Sequence, residues 1–154
     1  MRRVALFVML MCAAHVARSA NLEWFTDAQA AQEKAKHENK LVLLDFTGSD
    51  WCGWCMRLKG EVFDKPEFAE FAQSRLIAVE VDFPRHKALS QPQLEANAHL
   101  ARAYHITGYP TIILLNGEGQ QVGRMGYVQG GPAALIARLE LLTRARGQVQ
   151  MPSE

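Results

Sequence analysis

The chain has 154 residues, of which 49% are hydrophobic and 21% are charged, and its formal net charge is only +1. A chain of this length buries roughly two thirds of the surface that it exposes when unfolded, so a single core suffices without a disulfide framework. The near-neutral charge argues against nucleic acid as a partner, because nucleic-acid-binding proteins carry clustered basic residues. The three cysteines are an odd set, which in an exported protein indicates an unpaired or reactive thiol.

Residues 1–20 have the three parts of a secretory signal peptide. Arg2 and Arg3 precede an apolar run over residues 4–14, and small residues end the segment at Ala20. The run is much shorter than the about 20 helical residues needed to cross a membrane, which disfavours a retained membrane tether. We therefore expect an exported, periplasmic protein whose signal peptide is removed.

Cleavage after Ser19 or Ala20 would leave one mature domain, which we take as residues 21–154. The removed segment contains Cys12, and Met11 before it is too large for the usual lipoprotein signal. The segment also contains three arginines and no acid, so the mature chain keeps 14 basic and 16 acidic residues, a net charge of −2. Two cysteines remain, which removes the odd count, and the negative charge further weakens a membrane-surface or nucleic-acid interpretation.

The first half of the mature chain predicts helices that alternate with buried strands. Regularly spaced alanines predict a helix over 27–38, with Thr26 and Gln29 at capping-box spacing. The apolar run 41–46 predicts a strand that is buried on both faces, as in a central parallel sheet. Three further elements follow in the order of the chain: a helix over 52–59 that ends at Gly60, a helix capped by Asp64, and a strand over 76–83.

The second half predicts a helix, a hairpin and a last helix. Leu94, Ala98 and Ala101 are spaced as the buried side of a helix that ends near Tyr104. The remaining elements are a strand over 111–115, a turn over 116–119, a strand over 120–125 and a helix that starts at Pro132. This order predicts an α/β fold, with a central mixed β-sheet flanked by helices and no second domain.

Cys52 and Cys55 lie where a buried strand and a short loop give way to a helix. Free backbone N–H groups and the helix dipole favour an anion at a helix N-terminus, so we expect Cys52 to form a thiolate readily. The thiolate is the nucleophile in disulfide exchange, and Cys55 would then release the reduced partner from the mixed disulfide. Gly53 permits the tight loop, while Trp51 and Trp54 offer apolar area where an extended polypeptide could lie.

Three other interpretations of the cysteine pair compete with a redox site. A zinc knuckle needs a second pair of ligands, but the mature chain has no further cysteine and its histidines lack paired spacing. A structural disulfide across so short a loop stabilises little. Two inert buried thiols are disfavoured by the exposed position at the start of a helix. No metal and no cofactor are expected.

Two motifs resemble those of the thioredoxin superfamily. Residues 44–55 read Leu-Asp-Phe-Thr-Gly-Ser-Asp-Trp-Cys-Gly-Trp-Cys, and residues 108–111 read Gly-Tyr-Pro-Thr. The first motif is similar in form to that of exported bacterial thioredoxin-like proteins, the Dsb-type thiol:disulfide oxidoreductases. The resemblance covers nearly all of residues 21–146 and implies a thioredoxin fold with a redox-active Cys-X-X-Cys pair.

The resemblance also implies a substrate-binding surface. It implies a cis peptide bond between Tyr109 and Pro110 beside Cys52, with the backbone of Tyr109 pairing with the bound substrate. Gly126 matches the glycine of a third substrate-facing loop, and its alternative is an ordinary turn residue at the end of a strand. Gly60 stands where thioredoxins have a kink-forming proline, so a kink would depend on another residue.

Asp45 interrupts an apolar strand, where burial raises the pKa of a carboxyl group. In thioredoxins an acid in this strand helps to move the proton of the second cysteine, so the resemblance implies that role for Asp45 toward Cys55. Two features depart from the family pattern: the loop to Cys52 is one residue longer, and Ala78 occupies the position of the usual lysine. Glu80 shares a strand face with Ala78 and is either a second relay member or an ordinary strand acid.

The residues between the cysteines favour reduction over oxidation. Gly53-Trp54 lacks the histidine that stabilises the thiolate in strongly oxidising relatives, and less thiolate stabilisation lowers the reduction potential. We therefore expect a monomeric reductase of disulfide-containing proteins, recharged by an electron-donating thiol protein in the membrane. The alternatives are an oxidase or isomerase of the same fold, or a non-catalytic binding module or chaperone that docks partners on Trp51, Trp54 and Tyr109.

Overall fold

The computed structural model describes residues 22–147, with side chains described as far as residue 142. The predicted signal peptide over 1–20 lies outside the described residues. Strands and helices alternate along the described chain in the following order: β1 (Trp24–Phe25), α1 (Ala28–Glu38), β2 (Leu41–Thr47), α2 (Gly53–Leu58), a π-helical turn (Lys59–Phe63), α3 (Pro66–Arg75), β3 (Leu76–Asp82), α4 (Gln91–Ala103), β4 (Thr111–Leu115), β5 (Gln121–Met125) and α5 (Gly131–Gly147). None of the helices within 22–147 combines the length and the apolar character of a membrane span.

The strands form one mixed sheet in the order β1-β3-β2-β4-β5. β1 and β2 run parallel to β3, whereas β4 is antiparallel to β2 and β5 is antiparallel to β4. The predicted α/β fold with a central mixed sheet is therefore confirmed. The sequence does not predict β1, because two residues are too few to show a periodicity.

The sheet separates two layers of apolar side chains, and helices cover both faces. Leu43 of β2 points to one face, where it belongs to a cluster with residues of α3, α5 and the π-helical turn. Leu44 and Phe46 point to the other face, where Ala31 and Ala35 of α1 pack against them. Successive strand residues alternate between faces, so the continuous apolar run of β2 is what a strand buried on both sides requires.

Asp27 caps α1, and the predicted capping by Thr26 is wrong. The Asp27 carboxylate accepts hydrogen bonds from the backbone N–H groups of Gln29 at 2.9 Å and Ala30 at 3.1 Å. Both residue types can cap a helix, but the carboxylate also interacts favourably with the positive end of the helix dipole.

The predicted helix break at Gly60 is absent. α2 runs directly into the π-helical turn that contains Gly60. Val62 and Phe63 of this turn are buried in the core, and their packing outweighs the low helix propensity of glycine. The next helix begins at Pro66 with Lys65 at its cap position, so Asp64 is not the cap that the sequence predicts.

α4 buries a polar residue where the sequence predicts an apolar one. Leu94 is exposed, while Asn97 is buried and donates a hydrogen bond to the backbone carbonyl of Asp82 at 2.8 Å. The Asn97 side-chain oxygen accepts a second hydrogen bond, from Gln93, at 2.8 Å. Because its polar atoms are satisfied, Asn97 can face the end of β3 at little cost.

Candidate active site

Cys52 and Cys55 form a disulfide at the start of α2. Cys52 is the N-cap residue, and its Sγ accepts a hydrogen bond from the backbone N–H of Cys55 at 3.2 Å. A donor in this position favours negative charge on the sulfur when the pair is reduced. The expectation that Cys52 is exposed is wrong for the disulfide form, because the bond ties it to a buried partner: 7% of Cys52 and 4% of Cys55 are exposed.

Trp51 is fixed in the loop between β2 and α2. Its Nε1 donates a hydrogen bond to the backbone carbonyl of Phe83 at 2.7 Å. A Cβ atom at Gly48 would lie 2.5 Å from the indole, so this close approach requires glycine. The Arg85 guanidinium carbon lies 3.9 Å from the indole centroid, and the Tyr109 ring contacts the indole edge to face with centroids 5.8 Å apart. These contacts hold the Trp51 indole in one orientation next to the disulfide.

Two carboxylates hold the loop after β3 against the loop before α2. Asp50 accepts hydrogen bonds from the backbone N–H groups of residues 85–87 at 2.7 to 2.9 Å. These bonds hold the pKa of Asp50 below its usual value, with the first N–H contributing most. The buried Asp82 accepts hydrogen bonds from the backbone N–H of Ser49 at 2.9 Å and its hydroxyl at 2.6 Å, and pairs with Lys87 at 2.9 Å. Asp50 thus anchors the loop after β3.

A cavity of about 160 Å³ lies beside Cys55 and is also lined by Asp45, Lys59 and Glu80. Only 7% of Asp45 is exposed, and its Oδ1 has no hydrogen-bond partner among the described residues. Burial, followed by the negative charges of Glu80 and Asp82, raises the pKa of Asp45 to about 8, while Lys59 acts in the opposite direction. The fold therefore brings Cys55 and a carboxyl group with a pKa raised to about 8 to one cavity.

The two predicted substrate-facing loops lie against each other. The peptide bond between Tyr109 and Pro110 is cis, and Pro110 is buried directly before β4. The Tyr109 ring packs against Phe83, with ring centroids 5.4 Å apart. A Cβ atom at Gly126 would lie 3.5 Å from the carbonyl oxygen of Pro110, which brings the loop after β5 next to the loop before β4.

Gly53 and Trp54 occupy the exposed side of α2. A Cβ atom at Gly53 would meet nothing within 4 Å, so space alone does not demand glycine there. Trp54 is 55% exposed, and its ring centroid lies 5.1 Å from that of Tyr127. The sequence does not single out Tyr127, and the only available signal is its position directly after Gly126.

The described residues contain no group of three or more His, Cys, Asp or Glu side chains that could hold a metal ion.

Residues 28–142 match the family described as Thioredoxin-like domain. The chain belongs to the thioredoxin-like family.

Relatives within the thioredoxin-like family include bacterial Dsb proteins. Disulfide bond reductase DsbH of Chlamydia pneumoniae is 38% identical over 128 residues, which cover 83% of this chain and 76% of the relative. Thioredoxin-related protein DsbJ of the same organism is 33% identical over 108 residues, which cover 70% of this chain but only 31% of that protein. A solved structure titled DsbH Oxidoreductase superposes with a TM-score of 0.78 at 36% identity, covering 82% of this chain and 87% of that one.

These relatives confirm the thioredoxin fold and the resemblance to Dsb-type proteins. This member of the thioredoxin-like family is a DsbH-like thiol:disulfide oxidoreductase with its disulfide between Cys52 and Cys55.

Proposed function

We propose that this oxidoreductase reduces disulfides in other proteins outside the cytoplasm. The observation that carries the proposal is the Cys52–Cys55 pair at the start of α2, beside a cavity that contains the buried Asp45. The name of its relative DsbH, a disulfide bond reductase, supports the reducing direction. Gly53 and Trp54 support it too, because neither side chain can stabilise the Cys52 thiolate as a histidine would.

Cys52 carries out the first half of the reaction. Its thiolate attacks one sulfur of the substrate disulfide, so that a bond forms between Cys52 and that sulfur while the substrate S–S bond breaks. The second substrate sulfur leaves as a thiolate and takes a proton from water. The N–H of Cys55, 3.2 Å from the Cys52 sulfur, stabilises the attacking thiolate.

Cys55 carries out the second half. Its thiol loses a proton to Asp45 and attacks the Cys52 sulfur, which re-forms the Cys52–Cys55 disulfide and releases the second substrate thiolate. The pKa of Asp45, about 8, is close to that of an ordinary thiol at about 8.5, so the proton moves at little cost. Each turnover passes two electrons to the substrate.

We assign substrate contacts to the start of α2 and to the two neighbouring loops. The proposed residues are Trp51, Gly53, Trp54, Tyr109, Pro110 and Gly126. The backbone of Tyr109 pairs with the extended substrate chain, because it precedes β4 at the end of the sheet nearest the disulfide. The hydrogen-bonded Trp51 indole borders the substrate on one side of the disulfide, and the exposed Trp54 provides apolar area on the other side of the disulfide.

The oxidised protein must be returned to its dithiol form, which takes two electrons from a thiol donor. We propose that an electron-donating thiol protein in the membrane supplies them. In this proposal residues 1–20 act as a signal peptide for export to the periplasm, and the mature protein works as a monomer on disulfide-containing proteins.

Replacing Cys52 with serine tests the proposal. The C52S variant is expected to lose the reduction of insulin disulfides by dithiothreitol-charged protein, because serine is not a nucleophile in this exchange. C55S is expected to accumulate a covalent mixed disulfide with insulin, visible on a non-reducing gel. Retained insulin reduction by C52S would overturn the proposal and favour a non-catalytic binding module.

A further inference from the structure

An aromatic and charged cluster extends the exposed surface beside the disulfide. We call it the Trp54 cluster, and it consists of Trp54, Arg57, Glu61 and Tyr127. Trp54 and Arg57 lie on α2, Glu61 lies in the π-helical turn, and Tyr127 belongs to the loop after β5. Trp54 lies between the two cysteines in the chain, so the cluster borders the disulfide.

One carboxylate organises the Trp54 cluster. Glu61 accepts a hydrogen bond from Nε of Arg57 at 2.6 Å through one oxygen, and a hydrogen bond from the Tyr127 hydroxyl through the other. The Arg57 guanidinium carbon lies 5.4 Å from the Trp54 ring centroid and 5.6 Å from that of Tyr127. The bond from Tyr127, and then that from Arg57, lower the pKa of Glu61 and keep it ionised.

A contribution to fold stability does not explain why the side chains of the Trp54 cluster are arranged in this way. The side chains of Arg57 and Glu61 are 50% and 40% exposed, and ion pairs that solvent reaches to this extent contribute little to the free energy of unfolding. The buried Val62 and Phe63 already anchor the π-helical turn to the core. π-helical turns occur frequently at functional sites, and this one presents Glu61 to Tyr127 at the rim of the active site.

The Trp54 cluster favours an apolar partner. Arg57 is neutralised by Glu61, so the cluster offers the exposed Trp54 ring and the half-buried Tyr127 ring rather than a free positive charge. The large hydrophobic side chains exposed in the described part of the chain include Trp54 and Met56, which lie on the helix that begins at the disulfide. Exposed aromatic side chains with a polar rim are typical of surfaces that bind polypeptide.

We propose that Trp54 and Tyr127 bind an apolar side chain of the substrate polypeptide near its half-cystine, and that Glu61 is a positioning residue that holds Tyr127 and Arg57 against Trp54. This inference rests on the proposed reductase function and adds Tyr127 to its substrate contacts. It also predicts that the surface serves protein substrates and not small disulfides, which reach the sulfurs without crossing the two rings.

Steady-state kinetics with two substrates test this inference. Insulin serves as the protein disulfide, and hydroxyethyl disulfide serves as the small one. Tyr127→Ala is expected to raise KM for insulin about threefold to tenfold with kcat within about twofold, because it removes ground-state and transition-state contacts alike. Its kcat/KM for insulin therefore falls relative to that for hydroxyethyl disulfide.

Two milder variants separate positioning from folding. Tyr127→Phe and Glu61→Gln each break the hydrogen bond between these residues, and each is expected to raise the insulin KM by a smaller factor. The double variant is expected to have no more effect than the stronger single variant, because both changes remove one coupled contact. Glu70→Gln, which changes an exposed carboxylate on α3, is the matched control and leaves the selectivity unchanged.

Two results would overturn the inference while the reductase function stands. One is an unchanged insulin KM in the Tyr127→Ala variant, and the other is an equal loss toward insulin and hydroxyethyl disulfide in all three single variants. A wild-type protein that reduces neither substrate would instead mean that the proposed function itself is wrong.

Discussion

Asp45 of β2 and Glu80 of β3 are register partners on adjacent parallel strands, and both line the cavity that also contains Cys55. The negative charge of Glu80 disfavours ionisation of Asp45. Together with burial, which is the larger effect, this neighbour raises the pKa of Asp45. The fold therefore places a carboxyl group with a pKa of about 8 beside the cysteine that would need to lose a proton, so that its ionised form can accept that proton.

The raised pKa of Asp45 predicts a specific dependence of stability on pH. In the unfolded chain Asp45 ionises at about pH 4, whereas in the folded disulfide form it ionises near pH 8. Its stabilising contribution is thus present below about pH 4 and is lost as the pH rises through about 8. Asp45→Asn, which cannot ionise, is expected to be more stable than the wild type at pH 8.5 by about 1 kcal/mol or more.

Urea denaturation of both disulfide forms at several values between pH 4 and 8.5 measures this difference. The free energy of unfolding of Asp45→Asn minus that of the wild type should increase steadily from pH 4 to pH 8.5. A constant difference across the range would mean that Asp45 has an ordinary pKa in the folded protein.

Glu80 and Lys59 are expected to move the Asp45 titration in opposite directions. Glu80→Gln removes a neighbouring negative charge and lowers the pKa of Asp45, while Lys59→Met removes a positive charge and raises it. The effect of Lys59 should be the smaller, because its exposed ammonium group is also paired with Asp64. Carbon-13 NMR of the Asp45 carboxyl carbon over a pH series measures both shifts.

Lys65→Met is the control for these charge changes, because Lys65 is exposed and does not line the cavity. The Lys65→Met variant should leave the pKa of Asp45 unchanged. Shifts of the same sign in the Glu80 and Lys59 variants would contradict the electrostatic explanation.

Gly48 is predicted to be intolerant of any side chain. Gly48→Ala places a methyl group where the Trp51 indole lies, and overpacking of this kind costs about 1 to 3 kcal/mol. The indole would have to leave its hydrogen bond to Phe83. Chemical denaturation gives the loss of stability, and the tryptophan emission spectrum reports the displaced ring.

Gly60→Ala is the matched control, because its Cβ would meet nothing within 4 Å and alanine has the higher helix propensity. It should leave the stability unchanged or raise it by about 1 kcal/mol at most. Equal destabilisation by both glycine substitutions would show that the contact between Gly48 and Trp51 is not what matters.

Patterns within single elements predict most of the fold. The apolar run of β2 is buried on both faces as expected, and the spacing of Leu135 and Leu139 predicts the buried side of α5. Cys52, Cys55 and Asp45 also stand out in the sequence, because their residue types are unusual where they occur. These features depend on neighbours along the chain, which a sequence displays directly.

The features of the fold and of the site that the sequence does not predict depend on contacts between distant segments. Asn97 faces the core because it finds the carbonyl of Asp82, a partner that no local pattern reveals. Tyr127 reaches Glu61 across 66 positions, and Asp50 anchors a loop 35 to 37 residues away. Helical periodicity and motif spacing carry no information about such pairs, so the loop anchor and the Trp54 cluster emerge only from the fold.

The equilibrium reduction potential of the Cys52–Cys55 disulfide tests the central claim most directly. It is measured by incubating the protein in glutathione buffers of defined ratio and quantifying the dithiol form by alkylation, with the C52S variant as a blank. For a reductase we expect the reduction potential of this disulfide to lie close to the thioredoxin value of about −270 mV. A potential near the strongly oxidising value of about −120 mV would contradict the assignment and make the protein an oxidase.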